Sequence, residues 1–371
     1  MTFRMQRSAE HDVVVLTLSG NIGGECVSEL QGLLNAEAGS RVVLDLTDLG
    51  LIDRTGVRLL ARSEMLGTTF RNCPAYVKDW IEREEIFMVS TQTATVNEGT
   101  IKSTDGLNIF FRSWRPAETP RAVVVIVPGF NSHSGYYEWV GTHFAAAGCA
   151  AYALDLRGRG KSDGERFYVN TFADYVGDVA AAVSVAKSKE PNRPIFVLGH
   201  SAGGVVACLY TIEHQAELAG LICESFAFQV PAPDFALAVF KGLAHVAPHA
   251  HVLHLKNEDF SRDPQVVATM NADPLIAHET QPTLTLAEMV RADERLKKEF
   301  SHITLPVLIL HGTQDKATKP AGSRFFYDTA GSTDKTLKLY DGGFHDLLND
   351  VDKPKVMADI NAWIDAHLAE A

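Results

Sequence analysis

The sequence predicts an α/β protein in which a large, mainly parallel sheet is covered by helices on both faces and preceded by a smaller α/β unit. Three observations carry this. Apolar runs of strand length alternate with helix-compatible stretches along most of the chain. The segment MVSTQTATVNEGT (Met88 to Thr100) fills with Ser, Thr and Gly and breaks that alternation, marking a joint near Gln92. At 371 residues the chain also exceeds one typical domain. Residues 1–91 and 92–371 are therefore the two expected domains.

The smaller unit opens with the strand-like VVVLTL (Val13 to Leu18), a helical stretch around Val27 to Leu34 and the strand RVVLDL (Arg41 to Leu46). After Leu49 to Asp53 come Arg54-Thr55-Gly56 and a periodic helix through Val57, Leu60 and Leu66. A short strand is expected near Cys73 to Val77. The strand ending LDLTDLGLID, the Asp53-Arg54-Thr55-Gly56 turn and the helix behind it resemble the STAS family of anti-sigma-factor-antagonist domains. In that family the residue after the turn aspartate is often a phosphorylated serine; here it is Arg54. Thr55 retains a hydroxyl beside it, with an expected role as helix N-cap. The resemblance implies a docking or dimerisation module, hence a protein partner or self-association.

In the larger unit the expected strands are Ala122 to Gly129, Cys149 to Leu156, Ile195 to Ser201, Leu218 to Ser225, Leu305 to Gly312 and Thr336 to Gly342. Candidate chemical residues fall where these strands end, which is where sites gather in open α/β sheets. Gly199-His200-Ser201-Ala202-Gly203 matches Gly-x-Ser-x-Gly directly after a strand and before a helix, the pattern of a nucleophile elbow. A serine hydroxyl needs a base, and that base needs a third group to hold its tautomer. Asp315 follows VLILHGTQD and His345 sits in GGFHD after the last strand, giving the order Ser, Asp, His of α/β-hydrolases. The competing role for Asp315 is a helix N-cap; Glu224 and Asp346 are rival acids. Backbone N–H groups of Ala202 and Phe130 are the expected oxyanion donors. Gly129 permits the close approach that such a loop requires, and Asn131 could add a side-chain amide or simply cap the loop.

These residues, together with HSGYY, DLRGRGKSDG, GHSAGG, LHGTQD and DGGFHDLLND, resemble the monoacylglycerol lipase branch of the α/β-hydrolase family, of the serine aminopeptidase S33 type. The resemblance runs from about Gly99 to the C-terminus. It implies a serine carboxylic-ester hydrolase acting on acylglycerols, lysophospholipids or other medium-chain esters through an acyl-enzyme, with no metal or cofactor. It also implies a cap, here approximately 226–298, whose stripe Phe235, Leu237, Val239, Phe240, Leu243 and Val246 would receive the acyl chain. The family's Glu-His-Ser-Gly-Arg-Tyr strip, near the polar head of the substrate, reads Ser132-His133-Ser134-Gly135-Tyr136-Tyr137. Neutral groups replace a carboxylate and a guanidinium, so Asn131, Ser132 and Tyr136 are expected to meet a bulkier or less polar alcohol. Asp155 and Arg157 are expected to brace their loop rather than to react.

A regulatory protein, sensing a ligand in the larger unit and signalling through the smaller, is the alternative reading. Haloalkane cleavage would require a carboxylate at the elbow, where Ser201 stands. The net charge of -12 disfavours nucleic acid and anionic lipid as partners. Five scattered cysteines lack metal spacing, and no apolar run has signal-peptide or membrane-spanning length. A cytoplasmic protein with a small-molecule substrate and no stable membrane anchor is expected.

Overall fold

The computed structural model describes residues 3–10, 13–37, 40–82, 84, 94–229 and 241–368. The chain divides into two compact units, Met1–Thr93 and Ala94–Ala371. The joint expected near Gln92 lies outside the described residues.

The first unit carries a four-stranded sheet in the order β1 (Arg4–Glu10), β2 (Val13–Ile22), β3 (Arg41–Ile52), β4 (Thr69–Arg71). The β1/β2 pair is antiparallel, and the other two pairs are parallel. Helices α1 (Gly24–Ala36) and α2 (Arg54–Met65) supply Leu30, Val57 and Leu60 to a core shared with Leu16, Leu18, Leu44 and Leu46. Two expectations are corrected here. The last strand is Thr69–Arg71, not Cys73 to Val77, because Pro74 opens a helical turn in which Val77 and Lys78 donate to its carbonyl. The N-cap of α2 is Asp53, not Thr55: Asp53 Oδ1 accepts from Gly56 N–H at 2.8 Å and Oδ2 from Gly24 N–H at 3.1 Å. One carboxylate thus joins the starts of two helices. Arg54 and Arg58 converge on the buried Glu84 at 2.7 and 3.1 Å.

The second unit is built on an eight-stranded sheet. Its strands are β5 (Thr95–Lys102), β6 (Asn108–Arg115), β7 (Ala122–Val127), β8 (Cys149–Leu154), β9 (Ile195–His200), β10 (Gly220–Glu224), β13 (Val307–Gly312) and β14 (Lys335–Tyr340); β11 (His251–His254) and β12 (Thr280–Pro282) pair separately. The order is β14-β13-β10-β9-β7-β8-β6-β5, parallel from β14 to β8 and antiparallel at β6 and β5. This is the α/β-hydrolase arrangement anticipated above. Alternation along β7 explains why both faces must be covered. Val123, Val125 and Val127 pack on one side with α4 (Phe172–Lys189) and α5 (Ala202–His214), while Val124 and Ile126 pack on the other. That second side is closed by α3 (Glu138–Ala146) and α9 (Lys353–Leu368), through Val140, Phe144, Ile360 and Trp363.

Between β10 and β13 lie the β11/β12 pair, α6 (Pro264–Ala272) and α7 (Thr283–Glu299); α8 (Pro320–Thr329) follows β13. Phe235, Leu237, Val239 and Phe240 of the expected acyl stripe lie outside the described residues, while Leu243 and Val246 are exposed. Among the described residues no helix is long and apolar enough to cross a membrane.

Candidate active site

Ser201 is the hinge between β9 and α5, with φ 54° and ψ -123°. A side chain in the left-handed region is strained, so the surroundings must hold it there. Ser201 N–H donates to Glu224 O at 3.0 Å, and Ser201 O accepts from Gly204 and Ala227 N–H, both at 2.9 Å. The neighbouring glycines are needed for contact. A Cβ at Gly203 would lie 2.1 Å from Val127 O, and one at Gly129 would lie 2.7 Å from Ser201 Cβ.

His345 comes from the loop after β14. Gly342 turns that loop at φ 70°, and a Cβ on Gly312 would strike Gly343 O, so the ends of β13 and β14 lie against each other. His345 Nε2 is 2.8 Å from Ser201 Oγ, and Nδ1 is 2.8 Å from Asp315 Oδ2. With the carboxylate accepting at Nδ1–H, Nε2 is left to accept the serine proton. Phe260 stands edge-on to the ring, centroids 4.9 Å apart, and its carbonyl accepts Asp346 N–H at 2.8 Å.

Asp315 is saturated with donors. Oδ1 accepts Ala317 and Thr318 N–H at 2.8 and 2.9 Å, while Thr318 Oγ1 lies 2.7 Å and His311 Nε2 3.0 Å from Oδ2. Burial by itself would raise its pKa, but the facing His345 and His311 imidazoles outweigh that and hold the carboxyl below the usual carboxylate range. The capping role weighed for Asp315 is present too, since it binds two backbone N–H groups of the turn it opens.

Ala202 is the first residue of α5, so its N–H has no acceptor one turn back within the helix. Phe130 lies beside Gly129 with its ring under the Arg159 guanidinium, 4.1 Å from ring centre. Asn131, at φ 49°, donates its N–H to Glu279 Oε1 at 3.0 Å and its side-chain amide to Leu255 O and Asn257 Oδ1. Ser132 is buried. The Tyr136 hydroxyl donates to Asp273 Oδ2 at 2.8 Å, and His133 Nε2 is equally close to that oxygen.

Asp155 and Arg157 are structural: Asp155 accepts Ser134 and Lys161 N–H, and Arg157 pairs with Asp178 and Asp105. Of the rival acids, neither Glu224 nor Asp346 takes the Asp315 position on His345 Nδ1. Glu224 binds His200 Nδ1 and Leu347 N–H instead. Burial would lower the His200 pKa, yet the facing carboxylates of Glu224 and Asp346 push it up to about 9. These three residues offer ligand-type atoms within 4.8 Å of one another, and the imidazolium supplies positive charge there. Sequence reasoning missed His311, His200, Arg159 and Glu279. His311 and His200 had a visible signal, each being a histidine at the end of a buried strand; Arg159 and Glu279 had none.

An elbow serine, an imidazole at hydrogen-bond distance and an ionised carboxylate behind it, on a sheet of this order, define a serine hydrolase of the α/β-hydrolase fold. The family described as serine aminopeptidase, S33, matches residues 118–352. Over 280 residues the chain is 34% identical to a monoacylglycerol lipase of Mycolicibacterium smegmatis, covering 74% of this chain and 99% of that protein. It is 31% identical over 272 residues to the monoglyceride lipase of Homo sapiens, covering 72% of this chain and 90% of that one. The crystal structure of Paleococcus ferrophilus monoacylglycerol lipase superposes with a TM-score of 0.62 at 28% identity, covering 70% of this chain and 99% of that one. The chain belongs to the S33 serine aminopeptidase family, in its monoacylglycerol lipase-like branch, and is a carboxylic-ester hydrolase of the monoglyceride lipase type.

Proposed function

We propose that Ser201 is the nucleophile, His345 the general base and acid, and Asp315 the group that orients and charge-balances the imidazole. The observation that carries this is the continuous chain Ser201 Oγ, His345 Nε2, His345 Nδ1, Asp315 Oδ2, with both contacts at 2.8 Å. Ser201 gives its proton to Nε2 as Oγ attacks the ester carbonyl. The oxyanion is received by Ala202 and Phe130 N–H. His345 then returns the proton to the leaving alcohol, and a water deprotonated by the same nitrogen releases the acid from the acyl-enzyme.

The substrates we assign are acylglycerols, lysophospholipids or other medium-chain esters. We assign the alcohol end to Ser132 and Tyr136, with Asn131 beside them, and the acyl chain to the cap, approximately 226–298, whose Phe235 and Phe240 lie outside the described residues. Two neutral residues in place of a charged pair support an alcohol group bulkier or less polar than glycerol. The test is hydrolysis of p-nitrophenyl esters of short and medium chain length by wild type and Ser201→Ala. Loss of about 10³-fold or more is expected; a variant retaining most of its activity refutes the assignment.

We further assign residues 1–91 to a STAS-like docking or dimerisation domain and 92–371 to the hydrolase domain, in a cytoplasmic protein. The strand, aspartate-capped turn and helix of Arg41–Met65 support the first, as do exposed Leu51 and Leu66. Five free cysteines, including Cys208 and Cys223 with sulfurs 3.6 Å apart, support a reducing compartment. Sedimentation velocity should show the full chain self-associating and a chain starting at Ala94 as a monomer. Monomers in both cases would remove support for dimerisation.

A further inference from the structure

Behind the triad lies a second imidazole and carboxylate pair that the mechanism above does not use. His200, the last residue of β9, and Glu224, the last of β10, are both fully buried and hydrogen-bonded to each other. Glu224 reaches three places at once. Its main-chain carbonyl accepts Ser201 N–H at 3.0 Å, its Oε2 faces His200 Nδ1, and its Oε1 accepts Leu347 N–H at 2.9 Å. Ser201 and His345 come from elements 144 residues apart in sequence, and Glu224 is bonded to the first and to the loop of the second. The His200 ring also lies against the His345 ring, centroids 5.0 Å apart.

We propose that Glu224, paired with His200, is a positioning residue that fixes the distance between the Ser201 hydroxyl and the His345 imidazole. This deepens the triad reading and rests on it.

The chemistry supports a carboxylate here rather than a neutral acceptor. A carboxylate can accept from an imidazole and from a backbone N–H on different oxygens, and both bonds are strengthened by its charge. The imidazolium in turn keeps that charge compensated inside the protein. Asp346, on the loop of His345, also faces His200, and burial and Glu224 raise its pKa while His200 and His345 oppose the rise. Asp315, in the turn after β13, adds attraction for the His200 cation, and the hydroxyls of Tyr137 and Tyr340 feel the Glu224 charge. The pair is thus charge-matched while His200 is protonated, and the neutral ring with its proton on Nδ1 keeps the hydrogen bond but not the charge. Its contribution is fully present below the ordinary histidine pKa of about 6.5 and is lost as pH rises through about 9.

Glu224→Gln keeps the shape and an acceptor for Leu347 but removes the charge. We expect kcat per fluorophosphonate-titrated site to fall about 10- to 100-fold with KM changed less than about threefold. The alkaline fall in kcat should move to lower pH, because His200 loses its nearest carboxylate. Glu224→Asp should restore part of kcat and of the alkaline limit. A kcat within about twofold of wild type per titrated site, with an unshifted profile, overturns the inference even where Ser201→Ala is dead. An active Ser201→Ala would instead overturn the triad. Where Glu224→Gln does not accumulate folded, Glu224→Asp decides: a kcat per titrated site below wild type, with KM nearly unchanged and the alkaline limit moved to lower pH, upholds the pairing, and a wild-type kcat and profile overturns it.

Discussion

The carboxyl edge of the sheet and the segment between β10 and β13 meet around the same serine, yet they are held in place by different means. At the edge, the main chain does the positioning. Ser201, Asp315 and His345 each stand within a few residues of a strand end; β9 and β13 are buried along their length, and β14 is buried at Tyr340, its last residue. In the intervening segment, charged side chains do it. Glu279 binds Arg159, Gln281 and Asn131 N–H; Asp273 holds His133 and Tyr136; Arg262 reaches across to Asp350 at 2.8 Å. Backbone hydrogen bonds in a packed sheet fix positions to fractions of an ångström because neighbouring strands cannot slip without breaking every bond in the ladder. Ion pairs fix a partner but leave the stems adjustable. Chemistry common to a family fits the first region, and selection among substrates fits the second.

The largest effect that would sharpen this contrast is Asp315→Asn. A carboxamide at that place favours the wrong tautomer of His345, so kcat should fall roughly 10³- to 10⁴-fold while the thermal midpoint moves little. Glu279→Gln should behave in the opposite way. Removing one partner of the buried Arg159 pair leaves an uncompensated charge, a cost of about 3 to 5 kcal/mol that thermal unfolding would register. Catalysis should drop only about tenfold, through loosening of the Asn131 turn beside Phe130, and more for bulky alcohols than for small ones. If steady-state kinetics found Glu279→Gln as inactive as Asp315→Asn, with equal thermal midpoints, the two regions would not differ as described.

The strands, the Ser201 hinge and the chain order of Asp315 and His345 were legible because each depends on a few adjacent residues. Two glycines around a serine at a strand end leave few alternatives to a strained turn, and six apolar residues in a row must be buried. The placement of β4 was misread for the same local reason seen from the other side: CPAYV has strand composition, but Pro74 presets a helical start. The cap of α2 went to Asp53 because its carboxylate reaches both Gly56 and Gly24. No periodicity announces a bond from one helix to the start of another.

What the sequence alone determined was the class of chemistry, since the Gly-x-Ser-x-Gly elbow and its strained turn are encoded within five residues, Gly199 to Gly203. Which groups support that serine was decided only in three dimensions. Glu224 meets Leu347 across 123 residues and Asn131 meets Glu279 across 148, contacts set by strand order and register. Those follow from how all eight strands stack, and a carboxylate looks the same in the sequence whichever neighbour the sheet eventually gives it.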